Sequence, residues 1–210
     1  MPGMLHVIAS PRGSESCSIT VATAFVDAFR RRHADWGYQQ LNVFDEPLTD
    51  FAAPQAAAKY AVMSGQEPKD SAARAWKSVI EMINRLKSAQ LLLISSPMWN
   101  FSIPYRLKQF IDIIVQPGLT FTYSPREGYK GLLTHMRAVL VLARGGAYGP
   151  GSGAEDYDMQ KAYLETVLKF IGISDIRNVI IEKTLQSNPE QLSKNLSAAI
   201  AGARGLADEI

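Results

Sequence analysis

One cysteine, Cys17, is all that the 210 residues contain. A lone thiol excludes an intrachain disulfide framework and a thiolate metal cluster, and it fits a reducing compartment. The three histidines, His6, His33 and His135, have no second His, Cys or carboxylate at ligand spacing, so no metal site is expected. No apolar run approaches the roughly 18 residues needed to span a bilayer. The sequence goes straight into an apolar segment at Leu5 without the charged, apolar and cleavable pattern of an export signal, and the expected location is the cytoplasm. An excess of one charge is also missing. With 22 basic and 20 acidic residues the net charge is +2, too balanced for a nucleic-acid surface. Neither GxxxxGK[ST] nor GxGxxG occurs, which removes a nucleoside-triphosphatase loop and the dinucleotide fingerprint.

What is present reads as one globular domain over residues 1–210, at 47% hydrophobic and 20% charged. Apolar strands are expected at Leu5–Ala9, Leu91–Ile94, Arg137–Ala143 and Ile176–Ile181, and a more alternating one after Gly37. Between them, 3.6-residue spacing predicts helices over Ile19–Arg32, Pro54–Gly65, Ser71–Lys87, Tyr105–Val115, Glu155–Ile171 and from Asn188 to about Ala207. Thr120–Tyr123 reads as a short extended segment, and Ser124–Gly131 as a polar turn region. Five strands alternating with helices predict an α/β fold: one open five-stranded parallel sheet with helices on both faces. Such sheets bind ligands beyond the carboxyl ends of their strands, near a topological switch point.

Three unusual loops follow the first, third and fourth strands, and in the order two, one, three, four, five those strands are neighbours. The first loop, SPRGSESCS from Ser10 to Ser18, offers the hydroxyls of Ser10, Ser14, Ser16 and Ser18 just before a helix whose leading amides favour a phosphate. The same serines also suit a plain helix cap. The second, SSPMWNFSIP from Ser95 to Pro104, sets a thioether and two aromatics at a strand end, an apolar wall for a flat ligand, with Asn100 to read a polar edge. The third, RGGAYGPGSG from Arg144 to Gly153, is too glycine-rich for regular structure, and its GPGSG part reads either as a second phosphate loop or as a mobile lid.

In combination and order, the serine loop, PMWNFSIP, RGG, the GLTFTY segment at Gly118–Tyr123 and FIGI at Phe170–Ile173 resemble the flavodoxin-like, FMN-dependent NADH azoreductases, also described as NADH:quinone oxidoreductases, over nearly the whole chain. The resemblance implies a flavodoxin-like sheet and places Ser10, Ser16, Cys17 and Ser18 around the ribityl phosphate of FMN, with Cys17 contributing its amide. It implies Pro97, Met98, Trp99, Asn100 and Phe101 along the isoalloxazine, and Arg144, Gly145 and Gly146 at the other edge of the ring. It further implies NADH or NADPH as reductant, quinones and azo compounds as acceptors in ping-pong turnover, no protein acid or base, and a homodimer with sites at the interface. Tyr123, Tyr129, Tyr148 and Phe170 would then be partner-side walls. The chain departs from the pattern at Ala143, where many relatives have serine, and over Ala147–Gly153, where a histidine-containing version is expected.

Two other readings use the same residues. A phosphatase with Cys17 as nucleophile needs an arginine a few residues on, and Ser18–Ala24 has none. A flavin-binding electron carrier or regulatory module without nicotinamide turnover stays open. His6 reads as a packed strand residue, His33 as a cation at a helix end, and the stripe Trp76, Ile80, Ile83 as core.

Overall fold

The computed structural model describes residues 2–210. Its main sheet is parallel and contains β1 (Gly3–Ile8), β2 (Gly37–Asn42), β3 (Leu91–Pro97), β6 (Arg137–Ala143) and β7 (Asp175–Ile181), in the spatial order β2-β1-β3-β6-β7. Strands β4 (Phe121–Ser124) and β5 (Gly128–Gly131) form a separate antiparallel hairpin. The sheet is the open five-stranded one expected, with the order of strand addition reversing between β1 and β3, so loops leaving those two strands and β6 share one edge.

Continuous apolar strands mean burial on both faces. On one face Leu5, Val7, Leu92, Ile94, Ala138, Leu140 and Leu142 pack against α3 (Asp70–Lys87), α4 (Tyr105–Ile114) and α5 (Met159–Phe170). On the other, Met4, Leu91, Leu93, Val139 and Val141 meet Val21, Phe25 and Phe29 of α1 (Cys17–Arg32), and Ala203 and Ala207 of α6 (Pro189–Glu209). Trp76 and Ile83 are core, with Ile80 packed against it, as the stripe predicts. The remaining helix, α2 (Ala53–Met63), packs on α3.

Several boundaries shift from the sequence reading by a few residues, and three differences have identifiable reasons. Helix α1 begins at Cys17 because Ser16 caps it, accepting from the Ile19 amide. The helix expected from Glu155 is broken: a 3-10 turn covers Glu155–Tyr157, and Asp158 then caps α5 by accepting from the Lys161 amide at 3.0 Å. Half of the expected turn region 124–131 is strand β5, whose sequence GYKG has two glycines and little β signal of its own. The hairpin is held from outside. A Cβ on Gly131 would lie 2.2 Å from the Gly172 nitrogen, Gly172 itself has φ +105°, and the Leu133 amide donates to the Ile171 carbonyl at 2.8 Å. The FIGI segment is therefore a docking point for the hairpin, with Phe170 against Phe121 at 4.8 Å and Tyr129 at 5.5 Å.

His6 is a packed strand residue: 1% exposed, it bonds Ser95 Oγ at 2.9 Å through Nε2 and Tyr38 OH at 3.1 Å through Nδ1. Burial pushes its imidazole from the usual 6.5 to about 4. His33 sits at the C-cap of α1 and stacks on Phe29 at 4.2 Å.

Candidate functional site at the carboxyl edge of the sheet

The loop after β1 is a hydroxyl-lined turn feeding a helix. Ser10 is buried and accepts from the Arg12 amide at 3.4 Å, Gly13 has φ +54°, and Ser16 shares a 3.1 Å bond with Ser18 Oγ. The Ser18 hydroxyl is buried and bonded to Ser16 at the helix start. The leading amides of α1, from Cys17 onward, have no intrahelical acceptor and carry the positive end of the helix dipole. Among the residues that line the cleft beside them, Arg12 is the one cation, and its side chain is 61% exposed beside Glu15.

After β3, the Met98 amide donates to the Ala143 carbonyl at 2.7 Å, stitching the second loop to the third. Trp99 and Ser102 then exchange both backbone bonds, at 2.9 and 3.0 Å, around Asn100 (φ +47°) and Phe101 (φ +70°). Two consecutive left-handed residues make a type I′ turn, which asparagine tolerates and phenylalanine does not favour. The Phe101 carbonyl accepts from the Met159 amide at 3.1 Å, and its ring packs on Tyr157 at 5.2 Å. Trp99 belongs to a second aromatic group, 5.8 Å from Phe44 and 6.3 Å from Tyr105.

Arg144 turns its side chain away from the cleft. Its guanidinium, 1% exposed, turns inward to Asp158 at 2.7 Å, Glu182 at 3.2 Å and Gln160 at 3.3 Å. Gln160, buried and absent from the sequence reading, also donates to the Ser96 carbonyl at 3.3 Å, so it ties the ends of β3 and β6 together. The arginine is an internal post under the glycines. Its backbone is occupied too, donating to the Ile181 carbonyl and accepting from Thr184.

A fourth segment, residues 182–187, escaped sequence analysis because it has no unusual composition. The amides of Lys183 and Leu185 donate to the carbonyls of Gly146 and Gly145, and Leu185 lies where a Gly145 side chain would be, 3.0 Å from its Cβ position. The GPGSG stretch is neither free cradle nor open loop: the amides of Gly151 and Ser152 already hold the Glu155 carboxylate, at 2.6 and 3.1 Å. The Glu155 backbone amide first, and then the amide of Gly151, hold its carboxyl below the usual range.

These segments enclose a cleft of about 190 Å³ lined by Ser10, Pro11, Arg12, Ser16, Cys17, Pro97, Met98, Trp99, Ala143, Gly145, Thr184 and Leu185. Seven of the expected site residues are among them. Ser18 and Arg144 face inward, Asn100 and Phe101 form the tip of the turn, and Gly146 faces Tyr148, whose ring would lie 3.3 Å from its Cβ. Tyr148 packs on Phe101 at 6.2 Å, apart from Tyr123, Tyr129 and Phe170, which cluster at the hairpin. Three larger hollows, about 770 Å³ between β7 and α6, about 540 Å³ behind Arg144 and about 300 Å³ beside Arg85 and Ile113, lack this convergence of loops.

An open parallel sheet with a hydroxyl-lined helix start and an apolar wall at its switch point defines a flavodoxin-like protein, and the flavodoxin-like fold family model matches residues 3–205. The chain is 43% identical over 209 residues to an FMN-dependent NADH:quinone oxidoreductase of Nitratidesulfovibrio vulgaris, covering 100% of both, and 39% identical over 210 residues to one of Desulfotalea psychrophila, covering 100% of this chain and 98% of that one. A crystal structure of azoreductase from Bacillus anthracis str. Sterne superposes with TM-score 0.90 at 26% identity, over 100% of both chains. A crystal structure of an FMN-dependent NADH-azoreductase from Bacillus anthracis str. Ames Ancestor in complex with FMN superposes at 0.86 and 26% identity, over 99% of this chain and 100% of that one. The chain belongs to the FMN-dependent NADH:quinone oxidoreductase family.

Proposed function

We propose that this protein is an FMN-dependent oxidoreductase that passes electrons from NADH to quinones and reduces azo compounds, acting as one flavodoxin-like unit over residues 1–210 in the cytoplasm. One observation carries the reading. The hydroxyl-lined start of α1, the Met98–Trp99 wall and Gly145 border the same cleft.

The donor chemistry suits FMN. Ser10 and Ser16 with the amides of Cys17 and Ser18 would take the phosphate, which needs hydrogen-bond donors and positive potential but no nucleophile. Pro97, Met98 and Trp99 would flank one side of the ring, Gly145 the other, and Asn100 would reach its polar edge. Ala143 offers no side-chain hydrogen bond, and its carbonyl is engaged by Met98. Bound FMN would supply the two-electron redox chemistry at this site. The chain's own task is to bind, orient and exclude water, and on this reading no side chain is assigned as a general acid or base.

Reductant and acceptor then use one slot in turn. A 190 Å³ cleft is smaller than the roughly 300–1,000 Å³ of sites that enclose a ligand. One copy therefore supplies a floor, and a second copy in a homodimer supplies the cover. The exposed Tyr123 and Tyr129 on the hairpin are suited to that role as rigid aromatic contacts.

Purified protein tests the reading. Yellow protein bleached by NADH and recoloured by a quinone, with parallel double-reciprocal lines, is the expected result. Protein that binds FMN but is not reduced by NADH would favour the electron-carrier reading, and protein that refuses FMN would exclude both.

A further inference from the structure

We infer that Arg12 is a phosphate-seeking side chain held in reserve by Glu15, and that this pair sets how strongly the site prefers a phosphorylated flavin to an unphosphorylated one. The inference rests on the flavin reading of the cleft. Among the residues that line it, Arg12 is the one cation, and no carboxylate lines it. A phosphate monoester at the start of α1 would bring about two negative charges, which hydroxyls and amides alone leave partly uncompensated.

The local geometry keeps the guanidinium available. Arg12 is the N-cap of the 3-10 turn Gly13–Glu15, and its own amide is fixed on Ser10 Oγ at 3.4 Å. The root of the side chain is therefore anchored to the cradle while its head is free. That head meets Glu15 at 3.7 Å, with side chains 61% and 79% exposed. An exposed i,i+3 pair at that separation is a weak, solvent-screened contact. A phosphate would offer Arg12 a charge-assisted and geometrically matched partner instead, since a guanidinium presents parallel N–H donors to two oxygens at once. Glu15 is then a competitor. It retains the arginine when the site is empty and lowers the potential that a phosphate meets.

Arg144 cannot take this role, because its guanidinium is buried and committed to Asp158, Glu182 and Gln160. The basic triplet Arg30–Arg32 lies at the far end of α1. Arg12 is thus the residue through which charge, as distinct from hydrogen bonding, enters the cradle.

The test is a flavin titration of stripped full-length protein, read by fluorescence quenching, with FMN and riboflavin measured side by side. Arg12→Ala should weaken FMN about tenfold and leave riboflavin within twofold, Arg12→Lys should recover part of the loss, and Glu15→Gln should tighten FMN about two- to threefold. The FMN affinity of the wild type should fall with added salt more steeply than that of Arg12→Ala. Equal losses for FMN and riboflavin in Arg12→Ala, or no loss for either, would overturn the inference, and so would a Glu15→Gln protein with unchanged FMN affinity. Failure of the wild type to bind either flavin would instead reject the flavin reading itself.

Discussion

The guanidinium of Arg144 and the carboxylate of Asp158 meet at 2.7 Å beneath the glycine loop, and the same carboxylate, through its other oxygen, caps helix α5. One side chain therefore joins the end of β6 to the start of the helix that follows it. Because Arg144 is 1% exposed, removing its charge would leave Asp158 and Glu182 half-buried without their partner. Arg144→Met should cost about 3 kcal/mol in urea unfolding. Asp158→Asn, which keeps the cap but loses the charge, should cost less.

Gly172 is expected to be as sensitive as any core position although it buries no side chain. Alanine there needs φ +105° and puts a Cβ 2.9 Å from the backbone of Gly131 and Leu133. Gly172→Ala should lose about 3 kcal/mol by combining backbone strain with overpacking. The thermal midpoint would report the loss, and proteolysis near the hairpin should increase.

Asn100 is needed by the turn and, on the proposed reading, by the flavin, and two substitutions separate these demands. Asn100→Gly keeps a residue suited to φ +47°. It should retain stability within about 0.5 kcal/mol yet hold FMN more weakly, whereas Asn100→Ala should lose both. Wild-type flavin affinity in Asn100→Gly would mean that the residue serves the turn alone.

Trp99 lines the cleft and also contacts Phe44 and Tyr105 at its rim. Trp99→Ala should change the ratio of kcat/KM values among quinones of different size by about tenfold, with FMN content little altered. Unchanged ratios would place the indole away from the acceptor.

His6 makes stability depend on pH. Folded, it titrates at about 4, and unfolded near 6.5. Between these values the unfolded chain binds more protons, so stability rises with pH, is complete above about 6.5 and is lost as the pH falls towards 4. The full effect of a shift of that size is about 3 kcal/mol. His6→Gln should flatten this part of the profile, measured as thermal midpoint against pH.

Much was legible in the sequence because the signals are local. Apolar runs with both faces buried fixed the strands, 3.6-residue spacing fixed the helices, and Asn188-Pro189 marked the start of α6, where the Asn188 side chain accepts from Gln191 at 2.8 Å. The order of the loops along the chain, together with a parallel sheet, was enough to bring Ser16, Met98 and Gly145 to one cleft. The sequence could not assign directions to side chains. Whether Arg144 faces a ligand or the interior depends on Asp158, Gln160 and Glu182, which lie 14 to 38 residues away. The left-handed turn at Asn100–Phe101 and the contact of Gly131 with Gly172 depend likewise on groups distant in the chain. So does the wall formed by Thr184 and Leu185. Periodicity and composition determined the strands of the main sheet, the bodies of the helices and the chemistry of the loops, because those are set by near neighbours, whereas β5 and the break before α5 are not. Only the tertiary structure decided which groups are used up in holding the site and which remain free to bind, because that depends on what packing brings within a few ångströms.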